Sequence, residues 1–535
     1  MPNRALLRLA LALACTPFAC AADDGEDDGG GPGGKADDLN EGGMCAGKII
    51  DKTVGDDGEG VIDLEGRTDI LASLVFKAEG SADDCPESFA EILAKLREVD
   101  KEGCAEAQDG MRTAVVSETS QVLGKADTYR TVTTRECGGR QAHELLFSMF
   151  GLRSSTTELP DDVEIMAFDR TNKSYAFYAI EGGELHFFGT SVEMIKQDGA
   201  GRCVNCHPAG GVNMKELQAP WVHWEGDTTT PGADKLVDAN DDLGSKTDGI
   251  ELESIVDSGN AEVVELRAKT LLATNDLKQV LRPLFCTMQI NIEEGNSSPG
   301  GGAPSSIPGA ALVDSRLGFG SVPVSTSIYG TAIKNAKQKI IGNSGTQLKN
   351  KSGKLVVDTH FAFAYPVVSR EDQTYIDKLK ELNVIDDDFV LDVLAVDMTR
   401  PLFSQDRCAL LDSAPTIAKL TTTTGKAVKD LPKKIREGFA TNLAASDEGS
   451  AGAQLAASLA VVDDAAAHSK AVDDFFAACT ARTKSAFMAD ALKAVSSRRD
   501  QARELPIMEF PATLPMDSLK VGPEKVLNPT TCVLE

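Results

Sequence analysis

Apolar and polar positions change period several times along this chain, and each change predicts an element. Between 88 and 99, Phe89, Ile92, Leu93 and Leu96 recur at helical spacing. A second helix is expected over 141–150, packing Leu145, Leu146, Met149 and Phe150. The period then shortens to two. Val163, Ile165 and Ala167 alternate with Glu164, Met166 and Phe168; Asp169 to Ser174 supplies a turn, 175–180 a second strand, Gly182-Gly183 a tight turn and 185–188 a third strand. This is an antiparallel meander, followed by a short segment around 191–196.

Residues 226–260 read as a polar loop, and 261–280 as an amphipathic helix running up to Pro283. Residues 296–309 (NSSPGGGAPSSIPG) have the composition of a linker. Mixed segments follow, up to His360-Phe361-Ala362-Phe363. Beyond them Ser369 caps a helix with Asp372 in the reciprocal position, a second helix covers 387–396, and alanine-rich helices are expected at 451–467 and 470–496.

The implied class is α+β. An N-terminal domain over 45–293 carries the meander, a Gly/Ser/Pro linker occupies 294–309, and a mainly helical domain covers 310–535. Ahead of them, Arg4 and Arg8 flank or enter a short apolar run from Ala5 to Ala14, so residues 1–20 read as an export signal. Residues 21–44 are rich in Gly and Asp and read as a disordered acidic tether. Neither their Asp-Gly runs nor 238–249 fit the spacing of a calcium loop.

Two cleavage readings stay open: Ala12-Leu13-Ala14-Cys15 resembles a lipoprotein box, which would acylate Cys15, and Cys20 sits in an alternative small-residue site. The expected location is the periplasm or cell surface, with membrane attachment only through such an N-terminal lipid. Charge narrows the partners. With 82 acidic against 54 basic residues the net charge is −28, which opposes binding to nucleic acid and anionic membranes and favours a basic protein partner.

Of the 12 cysteines, Cys15 and Cys20 lie in the signal region, and Cys203 and Cys206 fall in one short motif. The others are Cys45, Cys85, Cys104, Cys137, Cys286, Cys408, Cys479 and Cys532, an even set that allows up to four disulfides in an oxidising compartment.

The motif itself is Cys203-Val204-Asn205-Cys206-His207. Two thiols three positions apart on a helical turn reach the two vinyl groups of one porphyrin, and the next residue aims an imidazole at its iron. Only about 0.003 such matches are expected by chance at this Cys and His content. A structural zinc site would want a second ligand pair, and no other Cys-x-x-Cys or close His pair occurs in the sequence. A thioredoxin-like dithiol would want a βαβ context and has no use for the adjacent His.

On these five residues the chain resembles the c-type cytochromes. The resemblance implies one haem c, thioether bonds from Cys203 and Cys206, and proximal ligation by His207. It covers only about residues 200 to 215. For the iron's other face, Met214 is the first candidate, with His223 and Met288 as alternatives. Trp221 and Trp224, the only tryptophans, either pack the core or wall the haem pocket. Met194, His143 and His186 read as packing or surface residues, His360 has no evident partner, and His468 reads as a solvated helix position.

The implied function is electron transfer. A haem enzyme or gas-binding protein with an open distal site is the alternative, motivated by a motif that follows β-structure. A surface-binding protein with a structural haem is the third reading.

Overall fold

The period-two alternation over 163–190 builds the centre of a mixed eight-stranded sheet, which together with a body of helices makes this an α+β protein. The structure is a computed structural model. It describes residues 43–53, 60–100, 104, 110–117, 128–152, 159, 162–196, 203, 207–212, 237, 239–247, 249–286, 290–293, 306–324, 365–460, 465–504 and 524–535.

The strands are β1 (Ile50–Asp51), β2 (Met111–Ser117), β3 (Thr128–Arg135), β4 (Leu145–Leu152), β5 (Val163–Asp169), β6 (Ser174–Glu181), β7 (Glu184–Thr190) and β8 (Ser245–Lys246). From β2 to β7 they form one antiparallel meander in sequence order. Its edges are closed by β1, parallel to β7, and β8, parallel to β2. At the expected turns, Asp169 Oδ1 accepts from the amides of Thr171 and Asn172, and Gly182 and Gly183 take φ of 58° and 84°, the left-handed pair of a two-residue hairpin.

The meander is longer than the alternation suggested, and the helix expected at 141–150 is a correction. A short turn of helix, Ala142–Glu144, gives way at once to β4. Its residues are apolar at nearly every position because both faces of the strand are covered: Leu145, Phe147 and Met149 enter one core, and Leu146 enters the other. A strand buried on both faces loses its alternation and looks like a helix. In β3, Thr131 and Thr133 are buried and Thr133 pairs with Thr113 across the strands, Oγ1 to Oγ1 at 2.9 Å.

One sheet face packs against residues 44–96, including α1 (Phe89–Val99), which Ser88 caps through the Glu91 amide. Burying a phenylalanine such as Phe147 there contributes roughly 2–3 kcal/mol. Disulfides Cys45–Cys85 and Cys104–Cys137 staple this layer. The opposite face carries α2 (Ser191–Lys196) and the first half of α3 (Gly249–Ala273).

That start of α3 corrects the loop expected over 226–260. Leu252, Ile255, Val256 and Val263 share one helix face against the sheet, a period diluted in the sequence by interleaved Asp, Ser, Gly and Asn. The helix also does not run through to Pro283. Asn275 turns left-handed at φ 55°, and Asp276 caps a separate α4 (Leu277–Phe285). Pro283 lies inside α4, near its end.

The second half of α3 and α4 share a core with α5 (Arg370–Glu381), α6 (Asp387–Ala395), α7 (Gln405–Ala409), α8 (Leu431–Leu443) and α9 (Ala451–Ala460). Cys286–Cys408 and the antiparallel pairing of 290–293 with 365–368 tie the same two stretches together. The boundary expected at 294–309 therefore does not separate two cores, because helices on both sides of it bury their apolar faces on each other.

Beside the disulfide, buried Arg407 donates to four backbone carbonyls, those of Phe285, Val396, Arg400 and Pro401. A last core joins 307–324 with α10 (Ala465–Ala481) and α11 (Lys484–Glu504) and includes the Cys479–Cys532 disulfide. The helical run expected over 470–496 is thus broken after Ala481, next to that bridge. All eight cysteines expected to pair do so, as fits an oxidising compartment. Among the described residues no helix is long and apolar enough to cross a membrane.

Candidate functional site

Strand β7 delivers the chain into α2, and α2 anchors the motif. Ser191, fully buried at the start of α2, accepts from the Tyr175 amide of β6 at 2.7 Å and donates to the Gly210 carbonyl at 2.5 Å. One hydroxyl thus ties the sheet to the loop after the motif. Cys203 is helical and 6% exposed, packed in the same core as Phe177, Phe188, Met194, Val212 and Leu252. The His207 amide donates to the Cys203 carbonyl at 2.9 Å, so these two motif residues are separated by one helical turn. Cys206 lies outside the described residues.

His207 then turns back on its own loop. Its Nδ1 lies 2.9 Å from the Gly211 carbonyl oxygen, and its ring centroid is 5.0 Å from that of Phe177. A carbonyl only accepts, so this bond makes Nδ1 the donor and leaves the lone pair of a neutral ring on Nε2. Metal-ligating imidazoles are oriented in this way, with the second ring nitrogen donating to a carbonyl, carboxylate or water.

The turn after the motif needs the backbone freedom of Gly210. Gly210 takes φ of 75°, its amide donating to the His207 carbonyl at 2.8 Å, and a side chain at Gly211 would run into Asn260 Oδ1 on α3. Val212 returns to the core.

As a test of fit for a covalent haem, the donor set has the right chemistry. A buried sulfur precedes, by one helical turn, an imidazole whose Nδ1 is bonded to a backbone carbonyl, and the wall beside them is aromatic and aliphatic. No group of three or more His, Cys, Asp or Glu suited to a metal ion occurs among the described residues.

The remaining candidates divide. Met194 is fully buried beside Cys203 in the same core, as a packing residue. His143 is buried, its ring 5.6 Å from Phe168, and burial lowers its pKa. His186 is buried between Glu181 at 3.4 Å and Glu184 at 3.5 Å. His468 lies in α10. Met214, His223, Trp221, Trp224, Met288 and His360 lie outside the described residues.

What the sequence did not reveal is the shell behind His207: the Gly211 carbonyl, Phe177, Ser191 and Asn260. The Gly210-Gly211 pair was the one local signal for it. A cavity of about 220 Å³ lies on that side, lined by Ala209, Gly211, Asn260, Arg267 and Glu371 among others. In comparisons with known proteins, no family model, no curated protein and no solved structure matches the chain.

Proposed function

We propose that this chain is an exported c-type cytochrome-like protein that carries one covalent haem c and transfers electrons. The observation that carries the reading is the bond from His207 Nδ1 to the Gly211 carbonyl, on a histidine one helical turn after a buried cysteine. Cys203 would hold the group from within the core, Cys206 would supply the second thioether, and His207 would ligate its iron through Nε2. Met214 would be the second iron ligand from the chain. Cys206 and Met214 enter from the sequence alone.

A haem c held there supplies a one-electron couple. The chain's own residues set the conditions for it. The carbonyl of Gly211 fixes the tautomer of His207 and increases the basicity of Nε2, which favours the oxidised state. Phe177, Phe188, Val212 and Leu252 exclude water around Cys203 and favour the reduced state, since a net charge is harder to sustain in an apolar surrounding. The net charge of −28 draws a basic redox partner by long-range attraction that salt screens.

Four disulfides agree with passage through an oxidising compartment. Periplasmic or surface placement, with a lipid on Cys15 or Cys20, belongs to the same proposal.

The test is the absorption spectrum of purified full-length protein, ferric and ferrous, with and without carbon monoxide. A low-spin spectrum that carbon monoxide leaves unchanged is expected. Rapid carbon monoxide binding would overturn electron transfer in favour of an open-faced haem enzyme or gas-binding protein.

A further inference from the structure

Next to Gly211 in the His207 loop, two side chains from different helices meet at the edge of one cavity. Asn260 of α3 places its Oδ1 where a side chain on Gly211 would run into it, and its Nδ2 donates to Glu371 Oε1 of α5 at 2.5 Å. Asn260 Oδ1 and Glu371 Oε2 are both buried without a hydrogen-bond partner among the described residues. Orphaned buried oxygens are costly, so their retention here calls for an explanation.

The charges around Glu371 explain part of it. Burial pushes its carboxyl up to about 8; Arg267 opposes this, Asp372 adds to it, the Asn260 hydrogen bond opposes it and Asp257 adds to it. Arg267 pairs with Asp372 at 2.8 Å, and Arg370 pairs with Asp257 at 2.6 Å and Glu253 at 3.1 Å. The neighbouring cations thus each hold another carboxylate, and the third packed element, the 209–211 loop, contributes no titratable side chain of its own. The cavity lined by Ala209, Gly211 and Glu371 also reaches exposed Thr374, which gives the carboxyl a route to exchange protons with solvent.

We propose that Asn260 and Glu371 are positioning residues for the His207–Gly211 hydrogen bond, and that loss of the Glu371 proton lowers the reduction potential. The inference rests on the haem reading above. An ionised Glu371 places a negative charge in the buried cluster that packs against the His207 loop, and a negative charge there stabilises the oxidised state through space.

The experiment is a spectroelectrochemical titration of the full-length haem protein from about pH 6 to about pH 10, in wild type, Glu371→Gln and Glu371→Asp. The wild-type potential is expected to fall as pH rises through about 8. Glu371→Gln should hold the low-pH potential with no fall, and Glu371→Asp should restore a fall. A purely packing role would shift the potential equally at every pH.

A flat wild-type profile overturns the proposal without need of any variant, and so does a Glu371→Gln profile that falls as the wild type does. A wild-type chain with no covalent haem sinks the haem reading and this inference together, whereas haem with a flat profile sinks this inference alone.

Discussion

Both faces of the sheet are apolar, but they are covered by different means. On one, Phe147, Tyr178 and Phe187 meet Leu71, Phe76, Phe89 and Leu96, and Cys45–Cys85 locks the layer in place. On the other, Phe177 and Phe188 meet Cys203, Val212 and α3, and the cover is held by single polar contacts: Ser191 to Gly210, His207 to Gly211, Asn260 to Glu371. Packing and a covalent bridge make a face that only needs to be stable. A face held by oriented hydrogen bonds fixes the direction of one imidazole, and that is the requirement of a ligand.

The sharpest way to break this contrast is to remove the imidazole. His207→Ala should lower the haem bound per chain by at least about tenfold, read from absorbance against protein concentration, while circular dichroism of the sheet is unchanged. A pair of aromatic truncations comes next. Phe147→Ala and Phe177→Ala should each cost about 3–5 kcal/mol in denaturant unfolding, but only Phe177→Ala should also move the haem absorption bands. Equal spectral effects would erase the distinction between the faces.

The smallest expected effect concerns pH. A carboxyl raised from 4.5 to about 8 by burial stabilises the fold fully below its unfolded value, and this contribution is lost as pH rises through about 8. Glu371→Gln removes that slope. The variant should therefore gain roughly 1–3 kcal/mol on wild type between about pH 5 and about pH 9, measured by urea unfolding at both ends.

The same contrast explains what could be read in the sequence. Local, periodic features were legible: α1 from Phe89, Ile92, Leu93 and Leu96; β5 to β7 from their alternation and turns; and the disulfide cysteines from their number. Strand β4 was not, because burial on both faces removes the period, and β3 was hidden by threonines that are buried as if apolar, of which Thr133 pairs with Thr113 across the strands. The first turns of α3 were masked by polar residues between its apolar ones.

The motif from Cys203 to His207 is contiguous and therefore visible. Its support is not: the partner of His207 is a backbone oxygen, which no residue type announces, and Asn260 and Glu371 meet across 111 positions of chain.

The central claim is that His207 belongs to a covalent haem site, and the most direct measurement is the mass of the denatured full-length protein, expressed with a haem c maturation system. The account predicts a polypeptide heavier by the mass of one haem, reduced to the bare chain when Cys203 and Cys206 are both replaced by Ala. A wild-type mass with no such increment would contradict it.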